Sequence, residues 1–219
     1  MAWSYSSLTA YETCPRRYKL TRVTKEVVEP QTDATLHGNE VHKALELALR
    51  NEAALPPKYK HYIPIVDKIK SADGKKLAEH KWAVNTRLQP VPFMSKDAWA
   101  RGIFDVAILQ QKGGIVLDYK TGKPKPDHDQ LKLFAAAAFA HWPFMENVKT
   151  GYLWLAYNRT ERSDFNQSEA PLIWQEFLPR VNRLDKSLAG GDFPARPSGL
   201  CAKWCPVPNK LCEYSGRTK

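Results

Sequence analysis

Asp118 and Lys120 stand two residues apart at the end of the apolar run Ile115-Val116-Leu117-Asp118-Tyr119-Lys120. In a strand such residues share a face, so a carboxylate and an ammonium are presented side by side where the sequence otherwise reads as buried. Desolvating that pair is costly unless it has a partner or a use. Two residues upstream supply a use: Asp105 lies toward the end of the segment Trp99 to Leu109, and His42 lies on an earlier helix. Hydrolysis of a phosphodiester needs a water made nucleophilic and charge neutralised on a phosphorane, and a divalent metal on hard oxygen ligands meets both needs. Asp105 and Asp118 are the expected carboxylate ligands, and the Tyr119 backbone carbonyl is a further oxygen. His42 adds a nitrogen that suits manganese as well as magnesium. Lys120 is placed to orient or deprotonate the water and to stabilise developing negative charge. The triplet Asp118-Tyr119-Lys120 is weak by itself, because an ordinary hairpin ion pair is spelled the same way. A single His on an apolar helix face is usually a core histidine. The combination with Asp105 gives both residues a chemical meaning.

The elements that must position these residues follow from period and punctuation. Ser6-Ser7-Leu8-Thr9-Ala10-Tyr11-Glu12 opens a helix; Thr9 and Glu12 have capping-box spacing, and Ser6 or Ser7 serves equally as cap. Pro15 interrupts or restarts it. Leu36 to Val41 leads into a helix from His42 to about Asn51, with His42, Leu45 and Leu49 on one face. Tyr62, Ile65, Val66 and Ile69 mark another. From Lys76 the period becomes two, predicting a strand through Trp82, Val84, Thr86 and Leu88 that Pro90 and Pro92 end. In the strand Trp99 to Leu109, Arg101, Ile103, Asp105 and Ala107 are expected on one face; Gly102, Phe104, Val106 and Ile108 are expected on the other. Lys112-Gly113-Gly114 makes a hairpin turn into the strand Ile115 to Lys120, central because it is so apolar. A loop, Thr121 to Pro126, precedes a helix from Asp127 or Asp129 to about His141. Gly151 to Tyr157 is a fourth strand, Asn158 to Glu169 an exposed turn, and Leu172 to Leu178 a fifth strand. Pro179 starts a last helix running to Ala189. Glu79 reads as a surface strand residue. The order predicts an α/β fold, a mixed central sheet flanked by helices.

The chain carries 33 Lys and Arg against 23 Asp and Glu, a net charge of +10. Such an excess suits a polyanionic partner, and Arg16, Arg17 and Lys123 are candidate DNA contacts. The longest apolar run, Leu133 to Ala140, is far short of a membrane span, and the first residues lack the pattern of a signal peptide. A cytoplasmic location is expected, that of the host if the chain is phage-encoded.

Four cysteines are spaced unevenly: Cys14 stands alone, and Cys201, Cys205 and Cys212 are separated by three and six residues. In a cytoplasmic chain disulfides are not expected. Four thiolates suit either a tetrahedral zinc ion or an iron–sulfur cluster. The paired knuckles of a zinc ribbon are absent, so spacing does not favour zinc.

Together these motifs resemble the PD-(D/E)XK nuclease superfamily, and within it the RecB-like and CRISPR-associated exonucleases. The resemblance is carried by Ser6 to Tyr11 with Cys14-Pro15-Arg16-Arg17-Tyr18, by Gly38 to His42, by Gly102-Ile103-Phe104-Asp105, by Asp118-Tyr119-Lys120-Thr121-Gly122, and by the terminal cysteines. It implies a restriction-endonuclease-like core, metal binding at the positions of His42, Asp105 and Asp118, and catalysis by Lys120. Gln130 matches a glutamine that touches DNA or supports the site, whereas Phe134 stands where a tyrosine is usual. The resemblance also implies a 4Fe–4S cluster on Cys14, Cys201, Cys205 and Cys212. It would clasp residues 1–30 and 193–219 around a nuclease core at 36–190, within a single nuclease domain spanning 1–219. The expected activity is Mg2+- or Mn2+-dependent exonucleolytic hydrolysis of single-stranded DNA or DNA ends, with 5′→3′ polarity favoured by the resemblance. Recombination, repair, CRISPR adaptation and phage DNA processing all fit it. The alternatives are a nuclease-fold DNA-binding or assembly subunit with little activity, and an endonuclease. Oligomeric state is left open.

Overall fold

The computed structural model describes residues 2–125 and 127–216. Expectations for Met1, Pro126 and residues 217–219 lie outside the described residues. In chain order the elements are α1 (Tyr5–Thr13), α2 (Pro15–Tyr18), α3 (Asp33–Leu49), α4 (Ile63–Ser71), β1 (Lys75–Val84), β2 (Ala100–Leu109), β3 (Gly113–Lys120), α5 (Asp129–His141), β4 (Asn147–Trp154), β5 (Arg159–Asn166) and α6 (Ala170–Gly190). The described chain divides into two compact units. Of the described residues, one unit comprises Ala2 and Thr32–Gln175; the other combines Trp3–Gln31 with residues 176–216. Among the described residues no helix is long and apolar enough to cross a membrane.

The first unit is built on a five-stranded sheet in the order β1-β2-β3-β4-β5. β1, β2 and β3 form an antiparallel meander, β3 and β4 run parallel, and β5 returns antiparallel to β4. A parallel neighbour demands a crossover, and α5 supplies it. The sheet is therefore mixed, with β3 at its centre, and the fold is of the restriction-endonuclease-like α/β class. On one face, Val41, Leu45 and Ala48 of α3 and Val66 and Ile69 of α4 pack on Val106, Ile108 and Tyr119. On the other, Phe134 of α5 meets Phe104 edge-on at 5.2 Å, and Leu131 packs with Tyr152 and Trp154. Gly102 faces Trp82 across the β1–β2 ladder, and a Cβ there would come within 2.7 Å of the indole. The bare backbone is what lets that ring lie flat on β2.

Several expected boundaries are corrected. α3 starts at Asp33, nine residues before His42, because Thr32 caps it by accepting the Thr35 N–H at 3.2 Å. β1 stops at Val84: the Asn85 side chain accepts the Arg87 and Gln89 N–H groups and folds the chain into a turn, so Thr86 and Leu88 leave the strand. The polar segment expected as a turn is β5. It is an edge strand held by its ladder to β4, and charged side chains there discourage further pairing. Leu172 to Leu178 is helical, not extended. Ile173, Trp174, Phe177, Val181 and Leu184 are all buried, and their spacing is that of one α-helical stripe. Pro179 lies inside α6 on its exposed side, where the carbonyl it leaves unpaired can meet water.

In the second unit α1 is capped by a Ser4–Ser7 box, so the Thr9–Glu12 box is also corrected. Glu12 instead forms a two-pronged ion pair with Arg180, both contacts at 2.7 Å. The Tyr11 hydroxyl donates to the Arg183 carbonyl at 3.0 Å and lies 2.8 Å from Ser187 Oγ. Leu20 and Val27 pack with Val207 and Cys212 of the tail.

Candidate active site

The site begins where β2 and β3 part. Their ladder pairs Leu109 with Gly114 and continues to Val106 with Leu117. One residue further, the Asp105 carboxylate accepts the Tyr119 N–H at 2.7 Å. A side chain thus takes a donor that a continuing ladder would have used. The alternation expected along β2 breaks at the same place. Phe104 packs against α5, while Val106 and Ile108 both belong to the cluster under α3, so the faces proposed for Asp105 and its neighbours do not hold. Across the β1–β2 pair, Glu79 has φ 49°, a left-handed conformation costly for a residue with a Cβ.

α3 brings His42 to this opening. Gly38 lies one turn earlier on the same face, and a Cβ at that position would sit 3.3 Å from Thr121 Oγ1. The missing side chain permits the close approach. His42 Nδ1 lies 3.3 Å from Asp105 Oδ2 and 4.0 Å from Glu79 Oε1. His42 Nε2 lies 3.1 Å from the Tyr119 carbonyl oxygen. Two carboxylates and a carbonyl are therefore gathered around one imidazole, an electronegative nest that favours a cation. Among the described residues, His42, Glu79 and Asp105 form the group whose ligand atoms all lie within 4.8 Å of one another.

Asp118 and Lys120 meet as their spacing predicts, with Nζ 2.6 Å from Oδ2. Asp118 Oδ2 is buried, and apart from this ion pair no hydrogen-bond donor reaches it. Gln130, in the first turn of α5, ties the pair together. Its Nε2 donates to Asp118 Oδ1 at 3.1 Å, and its Oε1 accepts from Lys120 Nζ at 2.9 Å. The Tyr152 hydroxyl also donates to Gln130 Oε1, at 3.4 Å. Phe134, one turn after Gln130, is buried against Phe104. The hydroxyl near Gln130 therefore comes from β4, not from the tyrosine position on α5.

Burial pushes the Asp118 carboxyl up to about 6, helped by the charge of Asp105 and opposed by Lys120. Burial likewise raises Glu79 to about 7, with Asp105 adding to the effect and His42 opposing it. For His42, burial acts downward, but the hydrogen bond and charge of Asp105 overcome it and the net shift is upward. The carboxyl shifts have a consequence for stability. Both groups bind protons more tightly folded than unfolded, so the unfolded chain ionises first as pH rises. Stability is lost from about pH 4 up to about pH 7. The metal-free protein is therefore expected to melt at a higher temperature at pH 5 than at pH 8 when followed in EDTA. Mn2+ is expected to raise the melting temperature more at pH 8 than at pH 5, because ligands must be deprotonated to bind.

Of the residues proposed from sequence, His42, Asp105 and the Tyr119 carbonyl converge at one place, and Asp118, Lys120 and Gln130 converge beside it. Asp118 is not within the 4.8 Å group. Glu79 was missed. Its place depends on the β1–β2 register and a left-handed backbone, neither of which leaves a trace in its sequence neighbourhood. Lys123 lies on the loop after β3 and is exposed. Arg16 and Arg17 belong to the second unit, where Arg16 pairs with Glu213, and Arg17 pairs with Glu29 at 2.9 Å. The four cysteines are free and line one small cavity in that unit.

Residues 2–213 match the profile of the PD-(D/E)XK nuclease superfamily. The chain belongs to that superfamily. Within the PD-(D/E)XK fold it is similar to the solved structure of SSO0001, at 15% identity and a TM-score of 0.50, over 98% of this chain and 87% of the other. It is also similar to a structure from Eubacterium rectale, provisionally described as an exonuclease, at 11% identity and a TM-score of 0.55. That match covers 96% of this chain and 92% of the other. At these identities the likeness is one of fold. No curated protein matches the chain.

Proposed function

We propose that this PD-(D/E)XK protein is a metal-dependent deoxyribonuclease that degrades DNA from its ends. The observation that carries the proposal is the convergence of His42, Glu79, Asp105 and the Tyr119 carbonyl beside the Asp118–Lys120–Gln130 cluster. The donor set suits a hard divalent ion, Mg2+ or Mn2+. It offers carboxylates, a carbonyl and one imidazole, with Asp118 Oδ2 buried and short of a hydrogen bond. His42, Asp105, Asp118 and the Tyr119 carbonyl, with Glu79 added, would hold the ion. When bound, the ion would supply Lewis-acid stabilisation of charge building on the phosphate. Lys120 adds a positive charge fixed by Gln130 and Asp118, placed to orient a water and to stabilise the same negative charge. Gln130 keeps Lys120 and Asp118 in register. The excess of 10 positive charges favours a polyanion, and Lys123 is the proposed DNA contact nearest the cluster in sequence. The provisional description of the Eubacterium rectale neighbour is consistent with attack from ends. Digestion of linear and circular DNA of the same sequence tests the mode. Linear molecules are expected to disappear with Mn2+ while circles persist. Nicking of circles at the linear rate would indicate an endonuclease, and no cleavage of either would leave a binding subunit.

For the second unit we propose a 4Fe–4S cluster on Cys14, Cys201, Cys205 and Cys212. Four thiols around one cavity are a complete ligand set for either metal type. The spacing of the cysteines lacks the paired knuckles of a zinc ribbon, and the resemblance to the CRISPR-associated exonucleases supports iron–sulfur over zinc. Such a cluster would tie the tail to the segment after α1 and add folding energy to a region with few core residues. Anaerobically purified protein is expected to be brown; colourless protein with one equivalent of zinc would overturn the proposal.

A further inference from the structure

Beside Lys120 lies a cavity of about 270 Å3 with more positive charge than the hydrolytic cluster employs. Lys120, Lys123 and Lys125 line it together with Tyr152 and Trp154 of β4, and Asp127 is the acid in its lining. Lys120 is already engaged by Asp118 and Gln130. Lys123 and Lys125 are exposed, and neither pairs with a carboxylate among the described residues. Asp127 Oδ1 is turned to the start of α5, where it accepts the Asp129 N–H at 3.2 Å. Trp154 is 4% exposed, and its indole Nε1 is buried with no hydrogen-bond partner.

We infer that this recess binds the terminal phosphomonoester of a DNA strand. An internal phosphodiester carries one negative charge, whereas a terminal phosphate carries roughly 1.5 to 2 at neutral pH and offers three acceptor oxygens. Two unpaired ammoniums next to a third match the monoester. The volume is close to the lower end of small-ligand sites, about 300 Å3, which suits a nucleotide-sized group and not a continuous strand. Tyr152 and Trp154 give the recess an aromatic wall for a sugar or base. An end seated here, alongside Lys120, brings a phosphodiester close to the end up to the hydrolytic cluster. The recess thereby gives the proposed end-directed mode a physical cause, and only this last step rests on the nuclease proposal.

The test is binding in EDTA, so that no hydrolysis is needed. Fluorescence anisotropy compares one labelled single-stranded oligonucleotide with a 5′-phosphate, with a 3′-phosphate and with hydroxyl ends, with inorganic phosphate as competitor. The full-length protein is expected to bind one phosphorylated form about tenfold more tightly than the hydroxyl form, on the scale of hydrogen bonds to a charged group. The double variant Lys123→Ala/Lys125→Ala is expected to lose that preference while Asp118→Ala keeps it. Equal binding of all three oligonucleotides, or a preference unchanged in the double variant, would overturn the inference. Competition by inorganic phosphate that abolishes the preference supports a phosphate subsite. A preference in a protein that never cleaves would sink the nuclease proposal and leave the subsite standing; cleavage without any preference would do the reverse.

Discussion

Asp118→Asn is expected to abolish hydrolysis and, without metal, to stabilise the fold. Asp118 is 6% exposed, and burial holds its carboxyl near 6. Keeping it ionised at pH 8 therefore costs stability relative to the unfolded chain. Asparagine removes that cost and still offers an oxygen to Gln130 Nε2, the one hydrogen-bond donor recorded at Asp118 Oδ1. The melting temperature in EDTA at pH 8 should rise, and the difference from wild type should shrink toward pH 4, where the native carboxyl is protonated. Cleavage should fall by at least about 10^3, the scale of losing charge stabilisation in a preorganised site. A gain in stability with a loss of activity is the signature of a residue kept for chemistry at the expense of the fold. A merely structural ion pair predicts the opposite stability change, since removing one partner of a buried pair destabilises.

Lys120→Met is expected to separate catalysis from metal binding. The side chain is 30% exposed, and methionine retains most of its length. Cleavage should fall by about 10^2 to 10^4, the usual span for a group that moves or stabilises protons in the transition state. Mn2+ affinity, read by calorimetry, should be unchanged or higher, because a cation 2.6 Å from Asp118 Oδ2 competes with an arriving ion. Asp118→Asn should weaken Mn2+ binding instead. Equal losses of metal affinity in both variants would mean that Lys120 acts only by shaping the ligand set.

The central hairpin was legible because its information is local. The apolar run of β3, the glycines of the turn and the two-residue spacing of Asp118 and Lys120 fix strand, turn and shared face within a few residues. His42 was legible only in company, since its spacing with Leu45 also suits a core helix. What the sequence hid was set by long-range geometry. Glu79 enters the site through strand register and a positive φ. The facing of Phe104 and Val106 changes at Asp105, where the ladders to β1 and β3 both break. β5 escaped because an edge strand held by backbone pairing needs no apolar period, and the start of α6 escaped because Pro179 suggested a helix start where the chain was already helical. The hydroxyl missing at Phe134 reappears from Tyr152, on a strand whose approach to α5 no local pattern reports. The cysteines were plain in the sequence, but the distances among their sulfurs were not.

The most direct measurement is single-turnover cleavage of end-labelled linear DNA with Mn2+, run on wild type, Asp118→Asn and Lys120→Met, with EDTA as the blank. Wild type should cleave only with metal, and both variants should be at least about 100-fold slower while melting cooperatively. Cleavage by both variants at the wild-type rate, or wild-type cleavage undiminished in EDTA, would contradict the assignment of this site.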